Sequence, residues 1–131
     1  MKTTKANFLI IFFGLLLFSS CKKNDLAAFQ PEIINNPDSF SLQATGLDKV
    51  TNVLTYTWSN SGTMANIDQS SVITSGTATL TIEDSNGTEV YSKDLSIDGS
   101  YSSSTGVAGN WKIKVDLSKV KGDLNFTAQK A

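Results

Sequence analysis

The side chains able to do chemistry are few, and their types exclude more than they permit. The chain has 131 residues with one Cys, no His and eleven basic residues, all of them Lys. A disulfide framework, a Cys/His zinc site and a nucleophile activated by a His base therefore cannot be built. Ser118-Lys119-Val120-Lys121 has the S-x-x-K spacing of penicillin-recognising serine enzymes, but that chemistry needs the Ser at a helix start and further motifs that are missing. Asp84-Ser85-Asn86-Gly87-Thr88-Glu89 gathers oxygen ligands beside a glycine, as a calcium loop does. It lacks the EF-hand spacing, and a hairpin turn uses the same residues for backbone reasons. Carboxylate pairs suited to glycoside hydrolysis leave no trace in chain spacing, because spacing does not fix distance across a sheet. The sequons Asn86-Gly87-Thr88 and Asn125-Phe126-Thr127 carry meaning only where Asn is glycosylated. No catalytic residue, metal ligand or cofactor is expected from these patterns.

Aromatic residues are the remaining candidates for ligand contact. Trp58 and Trp111 lie in phase with aliphatic neighbours, which assigns them to a core rather than to a sugar-stacking platform. Tyr91 and Tyr101 are the better candidates for an exposed ligand-binding surface. Tyr101 sits in Ser100-Tyr101-Ser102-Ser103-Ser104-Thr105, ahead of Gly106 and Gly109, a stretch that reads as a long loop or an edge strand. Tyr and Ser together give the composition of adaptable binding loops.

The one cysteine has a different context. Lys2 and Lys5 precede an unbroken apolar run of eleven residues, Phe8 to Phe18, which has the form of a basic n-region followed by an h-region. A spanning helix needs about 20 apolar residues, and a buried core helix would need a polar face, so neither alternative suits the run. Ser19 and Ser20 follow as the small residues of a cleavage site, and Cys21 comes directly after them. Leu17-Phe18-Ser19-Ser20-Cys21 resembles the lipobox of bacterial lipoproteins, with Phe18 where that family usually has Leu, Val or Ile. The resemblance implies that Cys21 is joined to diacylglycerol, that residues 1–20 are removed as a signal peptide, and that the new N-terminus is acylated. One acyl chain holds a protein only marginally at a bilayer, whereas two or more, at about 0.8 kcal/mol per buried CH₂, hold it firmly. The expected state is therefore a cell-envelope protein anchored to a membrane. In the family an Asp after the lipidated Cys marks inner-membrane retention in some bacteria; Lys22 stands there instead, which leans toward the outer membrane and leaves its face undecided.

From Cys21 onward nine Lys oppose twelve acidic residues, a formal charge of −3. No Lys cluster is dense enough for a phosphate-tracking stripe, which argues against nucleic acid as a partner. Residues 21–38 read as the lipidated Cys and a tether, with both prolines of the chain, Pro31 and Pro37, favouring an extended spacer. Phe29, Ile33 and Ile34 are apolar enough for part of it to dock as an edge strand.

The elements that would carry any surface site begin at about Ser39, where apolar residues recur with period two. Trp111, Ile113, Val115 and Leu117 share one face and Lys112, Lys114 and Asp116 the other, the pattern of a half-buried antiparallel strand. Ala78, Leu80 and Ile82 repeat it against Thr77, Thr79 and Thr81. Leu54, Tyr56 and Trp58, then Leu124, Phe126 and Ala128, do the same, and Phe40 with Leu42 begins the first strand. The eight glycines beyond the signal are expected in turns, with Asn86-Gly87 as a type I′ hairpin and Lys121-Gly122 between the last two strands. Six to eight short strands over residues 39–131 predict an all-β fold, a small antiparallel β-sandwich of immunoglobulin-like or fibronectin-like type without an inter-sheet disulfide. A jelly roll and a partly closed barrel remain open, as does the strand order. The expected core contains Trp58, Leu80, Ile82, Trp111, Ile113, Val115 and Phe126.

Function follows only in class. The first reading is a non-enzymatic envelope lipoprotein presenting a β-sandwich to a protein or a glycan, and the second is a structural accessory subunit of an outer-membrane complex. A small hydrolase is third, since no recognisable nucleophile set is present.

Overall fold

The computed structural model describes residues 30–131, so the apolar run, Cys21 and the first part of the tether lie outside the described residues. Seven strands account for most of the described chain: β1 (Glu32–Asn36), β2 (Ser39–Asn60), β3 (Ala65–Gln69), β4 (Val72–Glu83), β5 (Glu89–Asp94), β6 (Gly99–Ser102) and β7 (Gly109–Lys130). All pairings are antiparallel, and no helix forms among the described residues. The all-β expectation holds in this coarse form. The path is β1-β2-β7-β3-β6, with β4 joining β7 to β5.

Two 22-residue strands organise the sheet. Residues 39–44 of β2 pair with 124–129 of β7, and residues 52–60 pair with 109–117, with register slips between the two blocks. The C-terminal block of β7 also carries β3, while its N-terminal block carries β4 and, through it, β5. The sheet thus has two halves, and it folds over on itself. Phe40 and Tyr56 are sixteen residues apart on β2, about 50 Å along a straight strand, yet their rings lie 5.4 Å apart. The Asp38 N–H likewise donates to the Ser59 carbonyl at 2.8 Å. Such an antiparallel, two-layered arrangement is consistent with a β-sandwich.

Period two explains which side chains fill the space between the halves. Phe40, Leu42, Leu124, Phe126 and Ile67 point inward from one half, and Trp58, Leu80, Ile82, Trp111, Ile113 and Val115 from the other, all at 0–1% exposure. Every residue expected in the core is there. Trp58 and Trp111 meet edge to face with centroids 6.0 Å apart. Their indole N–H groups donate to the carbonyls of Asn36 at 3.1 Å and Val107 at 2.7 Å, so neither buried donor is left unsatisfied.

Two expectations need correction. Gly46 and Gly122 do not separate strands: each sits inside a long strand at positive φ, +70° and +128°, where the strand bends. Bare α-carbons permit that bend, since a Cβ on Gly122 would lie 2.1 Å from the Val72 carbonyl oxygen. The Asn86-Gly87 hairpin exists, but only Gly87 has positive φ (+83°), and its N–H bonds the Asp84 carbonyl at 3.0 Å. That is the type I turn ending in a left-handed glycine, not type I′, because Asn86 stays at ordinary φ. The stretch around Ile33 and Ile34, apolar enough to dock as an edge strand, does so: Glu32–Asn36 pairs with Ser39–Gln43 as β1.

Candidate functional site

Tyr91 and Tyr101 occupy different environments. Tyr91, on β5, is buried at 7% exposure, which corrects its expected place on the surface. Its hydroxyl donates to Gln69 Oε1 at 2.7 Å, while Gln69 Nε2 donates to the carbonyls of Asp94 at 3.1 Å and Ile97 at 2.7 Å. This chain of bonds ties β3 to β5 and the turn after it. Burial, and secondarily the nearby Tyr101, pushes the Tyr91 hydroxyl up to about 12. The group stays a neutral donor in a structural brace and is not available to a ligand.

Tyr101 stands on the four-residue edge strand β6, half-buried, one of the two placements its sequence allowed. Its hydroxyl donates to the Asp98 carbonyl at 2.8 Å, and the Lys93 ammonium lies 4.3 Å from its ring centroid. A cation on the ring leaves less aromatic surface for a sugar to stack on.

The accessible feature beside Tyr101 was not foreseen. Asn66 and Asp68 on β3, Ser100, Tyr101 and Ser102 on β6, and Gln129 on β7 line a depression of about 280 Å³. Register puts them together: Asn66 faces both Ser102 and Gln129, and Asp68 faces Ser100. Ser100 Oγ donates to Asp68 Oδ1, and Ser102 Oγ donates to Asn66 Oδ1 at 3.2 Å. The outcome is an open shelf of amide, hydroxyl and carboxylate groups held by two paired strands, of which β3 is anchored in the core on its opposite face through Ile67. Such groups can bind a polyhydroxylated or peptide-like ligand by hydrogen bonding. Alternation in Asn66-Ile67-Asp68 and Ser100-Tyr101-Ser102 marks the outward residues, but only the pairing of β3 with β6 joins them.

The other candidates resolve locally. Asp84 is buried, and its carboxylate accepts N–H bonds from Asn86 at 3.0 Å, Thr88 at 2.9 Å and Val107 at 2.9 Å. The Thr88 bond is the foremost of the causes holding its pKa below the ordinary carboxylate range. The side chain therefore closes the hairpin and clasps the segment ahead of β7, as the turn reading of this motif anticipates. Ser118-Lys119-Val120-Lys121 lies within β7, where no helix start supports serine chemistry. Trp58 and Trp111 are interior and present no stacking face. Compared with known proteins, the chain matches no protein-family model and no curated protein.

Proposed function

We propose that this chain is a lipid-anchored, non-enzymatic protein of the bacterial cell envelope, whose immunoglobulin-like β-sandwich presents the β3–β6 shelf to a glycan or a protein. The observation that carries the reading is the position of the sole cysteine, directly behind an eleven-residue apolar run and two small residues. Signal removal at residue 20 would leave Cys21 as the lipidated N-terminus, and residues 22–30 would join it to the sheet. The absence of Asp at position 22 favours the outer membrane. The absence of His, together with the use of Cys21 as the lipid site, favours binding over catalysis.

The shelf fits such a role because its donors and acceptors are exposed and sit on strands rather than on loops. Glycan and peptide arrays probed with the full chain test this directly. The expected result is a ligand whose binding falls at least tenfold in Asp68→Ala and in Asn66→Ala. Retention of full binding in both variants, or no ligand at all, refutes the shelf as the binding face.

The second reading, a structural accessory subunit, is favoured by β1. This edge strand has no Lys and no Pro within it, and its Ile34 is 60% exposed, so it is poorly protected against strand addition. Ile34→Lys would then abolish co-purification of an envelope partner and leave array binding unchanged.

A further inference from the structure

A second depression, of about 400 Å³, lies where the two halves of the sheet meet and is lined by Lys49 of β2, Ser75, Gly76 and Thr77 of β4, and Ser118 and Lys119 of β7. Its backbone is unusual. Among the described residues only Asp38, Lys49 and Lys119 adopt positive φ without being glycine, at 68°, 55° and 51°. Two of the three line this hollow, and both are lysines. A left-handed backbone is strained for a residue with a Cβ, and such strain clusters at binding and active sites. The aim here is set by bulges. The β2–β7 ladder passes from Leu47–Gly122 to Val50–Val120 and then to Asn52–Leu117, so Lys49 and Lys119 both fall outside it. The Lys119 N–H donates instead to Thr51 Oγ1 at 3.0 Å. Gly76, itself at φ +80°, lets β4 close on this bulge, because a Cβ there would lie 2.1 Å from the Lys119 carbonyl oxygen.

Charge completes the case. Lys112, Lys121 and Lys130 each have a carboxylate within 4 Å, whereas among the described residues Lys49, Lys93, Lys114 and Lys119 have none, and of these four only Lys49 and Lys119 line the hollow. The nearest acid in sequence, Asp48, is engaged by Lys121 at 3.9 Å. No carboxylate lines the hollow, and the exposed hydroxyls of Ser75, Thr77 and Ser118 add donors around it. Two unpaired ammonium groups with hydroxyl donors on a concave surface match the chemistry of a phosphate oxyanion. We infer that this hollow binds a phosphoryl group, supplied either by a phospholipid head group or by free phosphate. The inference does not depend on the lipid anchor or on the β3–β6 shelf.

Lysine-directed acylation of the full chain, quantified residue by residue by mass spectrometry, tests it in three arms: inorganic phosphate, phosphatidylglycerol vesicles and phosphatidylcholine vesicles. The expected result is that phosphate, phosphatidylglycerol or both slow labelling of Lys49 and Lys119 at least fivefold, leaving Lys112 and Lys114 unchanged. Protection by phosphate alone identifies a free anion as the ligand, and protection by phosphatidylglycerol alone identifies the head group. Lys49→Gln keeps the bulge and is expected to raise the concentration needed to protect Lys119 at least tenfold. Equal labelling in every arm, uniform slowing of all lysines, or equal protection by phosphatidylcholine overturns the inference.

Discussion

Trp111 shows how far one residue can be read from its neighbours. Its phase with Ile113, Val115 and Leu117 assigns it to the interior, and the structure places it there at 0% exposure against Trp58. Trp111→Ala removes that packing and leaves the Val107 carbonyl without its indole donor, so a loss of about 3–5 kcal/mol is expected. Urea denaturation measures it, and a near-zero loss would show the ring to be dispensable to the core. Asp84 gives a pH-dependent prediction. Its folded-state pKa is below the ordinary 3.8, so the stabilisation it provides is present above that value and is lost as pH falls through the folded value. The stability gap between the wild type and Asp84→Ala is therefore expected to be constant above about pH 5 and to shrink below pH 3.8. A gap that persists unchanged at pH 2, in denaturation series across pH, would contradict the role of its charge. Tyr91 marks the limit of residue-scale reading. At the β4–β5 pairing the register slips between Ile82 and Glu83, and both Val90 and Tyr91 turn inward. Alternation assumes an unbroken ladder, so it cannot foresee two consecutive buried residues beside a bulge.

Glycine carries the corresponding ambiguity at the scale of the element. A glycine between two apolar-alternating runs has the same appearance whether the chain reverses there or bends and continues, because both need a conformation that a Cβ opposes. What separates the cases is the partner: β2 and β7 bend together at Gly46 and Gly122, each keeping the other's ladder on both sides of the bend. Alternation located most of the strand segments, but joining them required pairing that is set far away in the chain. The two positions differ in what surrounds them. Gly46 has no atom within 4 Å of where a Cβ would stand, so Gly46→Ala is expected to cost only the backbone strain of about 1–2 kcal/mol. Gly122→Ala drives its methyl against the Val72 carbonyl, and a loss above about 3 kcal/mol is expected. Thermal or chemical denaturation of the pair checks the order, and equal losses would mean that the bend relaxes freely around a side chain.

For the whole molecule, composition and alternation were sufficient to give an antiparallel all-β fold with its tryptophans inside, and long-range register supplied everything beyond that. The β3–β6 shelf joins residues more than thirty positions apart, Asn66 with Ser102 and Asp68 with Ser100, and the hollow at the bend joins three strands through bulges. Neither arrangement leaves a local motif. The proposed anchor is the opposite case: the resemblance that suggests it is entirely local, in Leu17-Phe18-Ser19-Ser20-Cys21, and owes nothing to the fold. The proposed role unites a membrane attachment written in five residues with a binding face that only the folded sheet assembles. Mass spectrometry of the N-terminal peptide, from the protein isolated out of bacterial membranes, tests that account most directly. The account predicts a chain beginning at Cys21 and carrying diacylglycerol and an amide-linked acyl group, with Cys21→Ala leaving the precursor uncut. An unmodified Cys21 thiol, with the wild-type protein recovered from the soluble fraction, would contradict it.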